Sequence, residues 1–278
     1  MKKLYLGLLL MVAAVSCTNN KQAKTESETQ ASVEDSAKNN ADTIGIDSTE
    51  TTPPPAVDEL FADFIYSYTT NRSFQFRRTD FPLRKYENGK FAGTVDRIDW
   101  KFEKLYYKHS LHIIILDGEK DLNNLISLRP DTVRVEWLRF SKKKCKQYVF
   151  ARENGCWRMN RINYSSIDKH PDADFLKFYE RFAADSVFQS EHLNEMIDFI
   201  TFDEDNHYNK IEGIIESDQW PAFHPELPAY DIFNIDYGLK LKNQNVRVVS
   251  VRGNSNGMSS MFKFVRHKGS WKLVKFEN

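Results

Sequence analysis

An excess of charge of either sign is the first thing missing from this sequence: its 278 residues carry 39 Lys and Arg against 39 Asp and Glu, a formal net charge of +0 at pH 7. Between Asp58 and Asn278 the balance is 34 basic to 32 acidic residues. Phosphate backbones are bound by concentrated basic surface, so this balance argues against nucleic acid as a partner. Lys142-Lys143-Lys144 is the one dense basic cluster, and it reads as a solvated turn. A long apolar run is also missing. The longest, Leu4 to Val15, is shorter than the roughly 20 residues that a permanent membrane-spanning helix needs. Cysteine is scarce: of three, only Cys145 and Cys156 fall in the body of the chain. They sit at opposite ends of a predicted hairpin, and at about 3.3 Å per residue they stand roughly 20 Å apart, beyond disulfide reach. Both read as free small side chains, and neither a metal nor a cofactor is expected.

What is present begins with a leader. Met1-Lys2-Lys3, the apolar run and Ala14-Val15-Ser16-Cys17 follow the order of a signal peptide over residues 1–16. Cys17 directly after a small residue resembles a bacterial lipobox, in which the thiol is acylated and the cysteine becomes the new N-terminus; Ala14 stands where leucine is most often found. Two or three acyl chains would make such an anchor stable. From Thr18 to Val57 the chain has almost no large apolar residue and ends in Pro53-Pro54-Pro55. It cannot bury enough surface to offset its ordering entropy, so residues 17–57 are expected to form a lipidated, disordered tether.

The remainder is one unit written twice. FARENGCWRMNRI from Phe150 and FVRHKGSWKLVKF from Phe264 share Phe, Arg, Gly and Trp at matching places. The offset that carries Phe150 onto Phe264 also carries Phe61, Phe64, Tyr68, Phe74 and Gln75 onto Phe175, Phe178, Phe182, Phe188 and Gln189. Agreement at both ends of a unit identifies an internal repeat, with domains at 58–165 and 172–278 and a seam from Ser165 to Asp172. Each unit opens with an aromatic stripe at helical spacing, for which Asp58 and Asp172 or Asp174 are candidate N-caps. Asp80-Phe81 pairs with Asp198-Phe199 at a slightly different offset, suggesting a short strand before a variable insert. Each unit closes on alternating strands: His109 to Leu116, Val133 to Phe140, Lys146 to Arg152 and Cys156 to Ile162, then Asp231 to Tyr237, Val246 to Val251, Met261 to Arg266 and Trp271 to Phe276. Asn154-Gly155 and Lys268-Gly269 are hairpin turns. The fold class is α+β, with helices packed on a curved antiparallel sheet, and Trp157 and Trp271 are expected in equivalent buried places.

Helices before strands, a length near that of these units and a terminal hairpin reading aromatic-x-Arg-x-x-Gly-x-Trp-Lys resemble the nuclear transport factor 2-like, cystatin-type cone. With the lipobox and tether, two such units in tandem are similar to Bacteroidetes lipoproteins of the domain of unknown function 4348 family. The resemblance implies two cone-shaped domains and an envelope compartment; cones of this type host isomerases, dehydratases and plain binding modules alike. Thr18-Asn19-Asn20-Lys21 lacks the acidic cluster that resembles a surface-export signal in these bacteria, which implies the periplasmic leaflet of the outer membrane. Asp35-Ser36-Ala37, Asp42-Thr43-Ile44 and Asp47-Ser48-Thr49 resemble the triplets at which such envelope proteins are O-glycosylated, although a tract of this composition yields them readily.

Candidate chemistry is sparse. Gly253-Asn254-Ser255-Asn256-Gly257 has the form of a nucleophile elbow, but an alternating strand follows where the elbow requires a helix. His109 and His112 point to opposite faces of a predicted strand and cannot chelate one ion. Asp203 to His207 is oxygen-rich without the spacing of a calcium loop. Trp220-Pro221-Ala222-Phe223-His224-Pro225-Glu226-Leu227-Pro228 is the most unusual segment: its prolines are expected to hold it extended, and copy one offers no counterpart. Trp220, Phe223, His224 and Glu226 are the candidate pocket or rim residues, with His224 and Glu226 the place for proton transfer if there is one. A rigid rim or packing loop is the plainer reading. The function expected is a membrane-tethered binding or scaffold module for an apolar small molecule or peptide. The alternatives are a lyase, isomerase or hydrolase working in one cone, and a structural envelope protein binding a protein partner.

Overall fold

The computed structural model describes residues 56–203, 205, 206 and 209–278. The signal peptide, Cys17, the tether triplets and Glu204 and His207 of the acidic loop lie outside the described residues. The first copy runs α1 (Phe61–Thr70), α2 (Arg72–Arg77), β1 (Thr79–Glu87), β2 (Lys90–Val95), β3 (Leu111–Leu116), α3 (Glu119–Asn124), β4 (Thr132–Arg139), β5 (Lys144–Glu153) and β6 (Cys156–Ser166). The second runs α4 (Ala173–Ala184), α5 (Ser186–Glu191), β7 (Leu193–Phe202), β8 (Lys210–Glu216), α6 (Trp220–Phe223), β9 (Asp231–Asp236), β10 (Val246–Gly253), β11 (Ser259–His267) and β12 (Ser270–Glu277). The architecture is mixed α+β.

All twelve strands form one sheet, ordered β2-β1-β6-β5-β4-β9-β3-β10-β11-β12-β7-β8. Exchanging each strand for its counterpart in the other copy reads this order backwards, so the repeat is a pseudo-twofold. The third strands have changed places: β3 pairs with β10 of the second copy, and β9 pairs with β4 of the first. They meet each other in parallel at Ile113 and Asn234.

Alternation along the central strands then divides the interior. Ile113 and Ile115 of β3 join the core that contains Phe175, Phe178 and Trp271, whereas Ile114 and Leu116 join the one that contains Phe61, Phe64 and Trp157. Because successive side chains point to opposite faces, the two cores lie on opposite faces of one sheet, each covered by its own copy's helices. The aromatic packing is duplicated: Phe61 meets Trp157 edge-on at 5.1 Å and 75°, and Phe175 meets Trp271 at 5.1 Å and 74°. Trp157 and Trp271 are both buried, as expected.

Three local expectations need correction. Strands β1 and β7 are long, and each pairs with a further edge strand in place of a variable insert. Their equivalence follows the main offset: Arg84 opposite Arg161 corresponds to Asp198 opposite Lys275, with the same bulge in both, so Asp80-Phe81 does not match Asp198-Phe199. Nor do the aspartates cap helices. Leu60 holds the N-cap position of α1, and the Asp58 carboxylate is buried instead, accepting from the Trp157 N–H at 2.8 Å and from Arg78 at 2.7 Å. Asp172 is at the N-cap of α4 without capping it, and bonds Arg247 through Nε and Nη2 at 2.9–3.1 Å.

Candidate functional site

Between helices and sheet, where a cone would hold its ligand, each copy has placed a glutamine and a tryptophan. Gln75 donates to the carbonyls of Tyr68 and Glu103, and accepts from the Glu103 N–H and from Trp100 Nε1 at 3.2 Å. Gln189 donates to the Phe182 carbonyl and accepts from Trp220 Nε1 at 2.9 Å. All four side chains are buried. A buried amide is favourable only with its bonds made, so each pair fixes the other and fills the space it occupies.

This overturns the expectation for the Trp220 segment. Trp220 is a core residue in a short helix, and its counterpart in the first copy is Trp100, reached at an offset slightly longer than that of the rest of the repeat. The other three candidates are exposed and do not converge. Phe223 packs its ring edge-on against Phe199 at 5.5 Å. His224 stacks on Trp220 at 5.8 Å, with Nδ1 3.3 Å from the Pro225 carbonyl. Glu226 is exposed.

A buried His–Glu pair does exist, at the seam. Glu136 on β4 accepts from Gln147 Nε2 and Asn234 Nδ2, both at 2.8 Å, and lies 3.3 Å from His170 Nε2. Asn234 comes from the exchanged β9, so this cluster ties both copies to the linker. Burial alone would raise the Glu136 carboxyl, but His170 and then the two amides outweigh it and hold the group below the usual carboxylate range. All the acceptor capacity of Glu136 points at structural donors. Cys145, which faces the same region, has its thiol pushed far above the ordinary range, first by burial and then by Glu136, which leaves it unreactive.

The glycine-flanked Gly253 to Gly257 segment is the β10–β11 turn, as its strand context predicts. Asn254 staples it to the exchanged strand: Nδ2 donates to the Tyr106 and His109 carbonyls at 2.8 and 2.6 Å, which leaves Oδ1 to accept from His112 Nδ1 at 2.6 Å. His112 therefore carries a proton on Nδ1, and burial, its largest influence, lowers its pKa below the ordinary histidine value. His109 is outside β3, its ring tilted against Phe233 at 5.4 Å.

Two hollows among the described residues bear on ligand binding. One, of about 380 Å³, is shallow and lined by Asp117, Asp121 and residues 238–242. The other, of about 90 Å³, lies where the start of α1 meets the β5–β6 hairpin. Its walls include Leu60, Phe61, Trp157 and Tyr237, with Arg129, Arg152 and Arg252 around them and Glu59 and the exposed Ile126 at the edge. Burial raises the Tyr237 phenol above its usual value, with Arg252 opposing, so it stays protonated. Among the described residues none of the three arginines has a carboxylate partner: Arg129 bonds the carbonyls of Ile126 and Leu128, Arg152 those of Asp58 and Gly155, and Arg252 the Ser250 hydroxyl.

At the equivalent place in the second copy, Asp174 fills the role that is open here. Its carboxylate pairs with Arg266 and accepts from Trp271 Nε1 at 3.2 Å. The repeat offset carries Arg152 and Trp157 onto Arg266 and Trp271, but Leu60 onto Asp174. As a result Trp157 Nε1 is buried without a hydrogen-bond partner among the described residues. Sequence reading missed this hollow. The signal was present, as a single acidic position that differs between two copies whose cationic and indole positions agree.

The family model described as "Domain of unknown function (DUF4348)" matches residues 40–278. A crystal structure at 2.15 Å of an NTF2-like protein from Bacteroides fragilis NCTC 9343 superposes with a TM-score of 0.72 at 34% identity, covering 81% of this chain and 98% of that one. No relative matches among curated proteins.

Proposed function

Because the chain belongs to the DUF4348 family and has the NTF2-like fold, we propose that it is a membrane-tethered, periplasm-facing binding module without catalytic activity. One observation carries this reading: a buried, hydrogen-bonded Gln–Trp pair occupies the interior of each copy, while an arginine-rimmed, aromatic-walled hollow opens at the surface of the first copy. The acid and imidazole groups that a lyase or hydrolase would use are held by structural hydrogen-bond partners. An acylated Cys17 and a polar tether of about 40 residues would let the folded part reach roughly 35 Å from the membrane surface, by random-coil scaling.

A thermal-shift and native mass spectrometry panel against fractionated envelope extracts tests the reading. A fraction that raises Tm and adds a discrete mass is the expected result. Turnover of a fraction component by the purified protein would replace the binding module with an enzyme. Labelling of Cys17 by a fatty-acid probe, and loss of that label in Cys17→Ser, is expected for the anchor.

A further inference from the structure

The first copy's hollow presents the donors of a carboxylate site whose acceptor the second copy supplies from its own chain. We infer that this hollow binds the carboxylate of a small amphipathic ligand, with Arg152 and the flanking Arg129 and Arg252 taking the charge. The inference rests on the binding-module reading and names the ligand class for it.

Three facts converge. First, the second copy shows what the constellation holds when it is complete: a carboxylate, that of Asp174, between a guanidinium and an indole N–H. Second, the first copy keeps Arg152 and Trp157 and has Leu60 in place of the acid, which leaves a buried indole N–H with no partner among the described residues. An orphaned buried donor is destabilising, and a carboxylate is the acceptor that the same frame already accommodates. Third, two further arginines line the first copy's hollow without ion pairs among the described residues. Guanidinium groups favour carboxylate by fork geometry as well as charge; Arg152 and Arg252 are half-buried and Arg129 is exposed.

Size limits the rest of the ligand. A volume of about 90 Å³ matches roughly three waters at about 30 Å³ each, enough for a carboxylate and its first carbons. The remainder must lie outside, against Leu60, Leu128 and the exposed Ile126. An unbranched or aryl monocarboxylate fits; a bare sugar offers nothing to that apolar lip. Glu59 at the edge disfavours a second negative charge, which points to one carboxylate rather than two.

The experiment uses the full purified chain, octanoate as probe, and octanol and octanamide as neutral matches. Calorimetric titration should give saturable one-to-one binding of octanoate with no heat from the neutral pair. Leu60→Asp restores the second copy's acid from within, at a position where an aspartate can also cap α1; it should keep or raise Tm and weaken octanoate at least tenfold. Arg252→Gln, at a partly exposed side chain, should weaken it at least threefold with the fold intact, and carries the test if Leu60→Asp does not fold. Equal binding to Leu60→Asp or Arg252→Gln, or equal binding of octanol, overturns the assignment. If octanoate fails while an envelope fraction still binds, the carboxylate class falls and the binding module stands; if nothing binds, both fall.

Discussion

Single side chains in this protein are used to hold segments together across long sequence distances. Glu136 is the sharpest case, a fully buried carboxylate with a histidine and two amides aimed at it. Removing it would leave the buried Asn234 and the half-buried Gln147 and His170 without this acceptor. Glu136→Ala should therefore lose about 3–5 kcal/mol in urea unfolding, the range for breaking a buried charged cluster from one side; a loss below 1 kcal/mol would mean that water or a rearranged Gln147 replaces the carboxylate readily. Glu119 shows the same logic at the surface. Burial alone would raise its carboxyl, but Lys263 and Lys275 on the sheet outweigh that and hold it below the usual range. A lowered acid contributes stability that is present above its unfolded value and lost as the pH falls through its folded one. Glu119→Gln is thus expected to cost about 0.5–1 kcal/mol at pH 7, discounted for partial exposure, with the gap to wild type closing below about pH 4. Parallel unfolding curves at pH 7 and pH 3 check both the size and the sign.

Elements with one buried face announce themselves in sequence, and those without do not. The stripe Phe61, Phe64 and Tyr68 and its copy gave α1 and α4, and the alternating runs gave β3 to β6 and β9 to β12 to within a few residues. The edge strands β2 and β8 are exposed along most of their length, so no one-sided alternation marks them and they read as an insert. Trp220 was misplaced for a different reason: the loop before it lengthens the repeat offset, which hid Trp100 as its partner, and proline suggested an extended chain where Pro221 in fact sits in the first turn of α6, a place that suits it. That equivalence has a measurable consequence. Trp100→Ala and Trp220→Ala each delete a buried indole, the second also removing the donor to the Gln189 oxygen while Gln75 keeps the Glu103 N–H, so each should cost about 3–5 kcal/mol. Were the Trp220 segment a rim loop, its truncation would cost far less than that of Trp100, and denaturant melts of the two variants separate the cases.

At the scale of the whole molecule, the exchange of β3 and β9 decides how the copies depend on one another. Sequence could show that the unit is duplicated, since each copy carries its own pattern. It could not show which copy's edge β3 would join, because β4 and β10 offer it equivalent hydrogen-bonding edges and similar apolar faces. The exchange makes each copy incomplete by one central strand. A chain of residues 56–171 has no β9 to cover the edge of β4, and its own β3 has lost the strand it pairs with, β10. An unpaired central edge flanked by apolar faces is a template for association. This fragment should therefore not persist as a folded monomer: it should aggregate or form a dimer in which two copies exchange β3, since the pseudo-twofold already places β3 and its equivalent side by side. Mixing it with residues 172–278 should restore a one-to-one complex with the far-ultraviolet spectrum of the intact chain. Light scattering behind size exclusion decides the matter. A cooperatively folded monomer of residues 56–171 would mean that β3 can turn back onto β4 within its own copy, and that the twelve-stranded sheet joins two domains each able to stand alone.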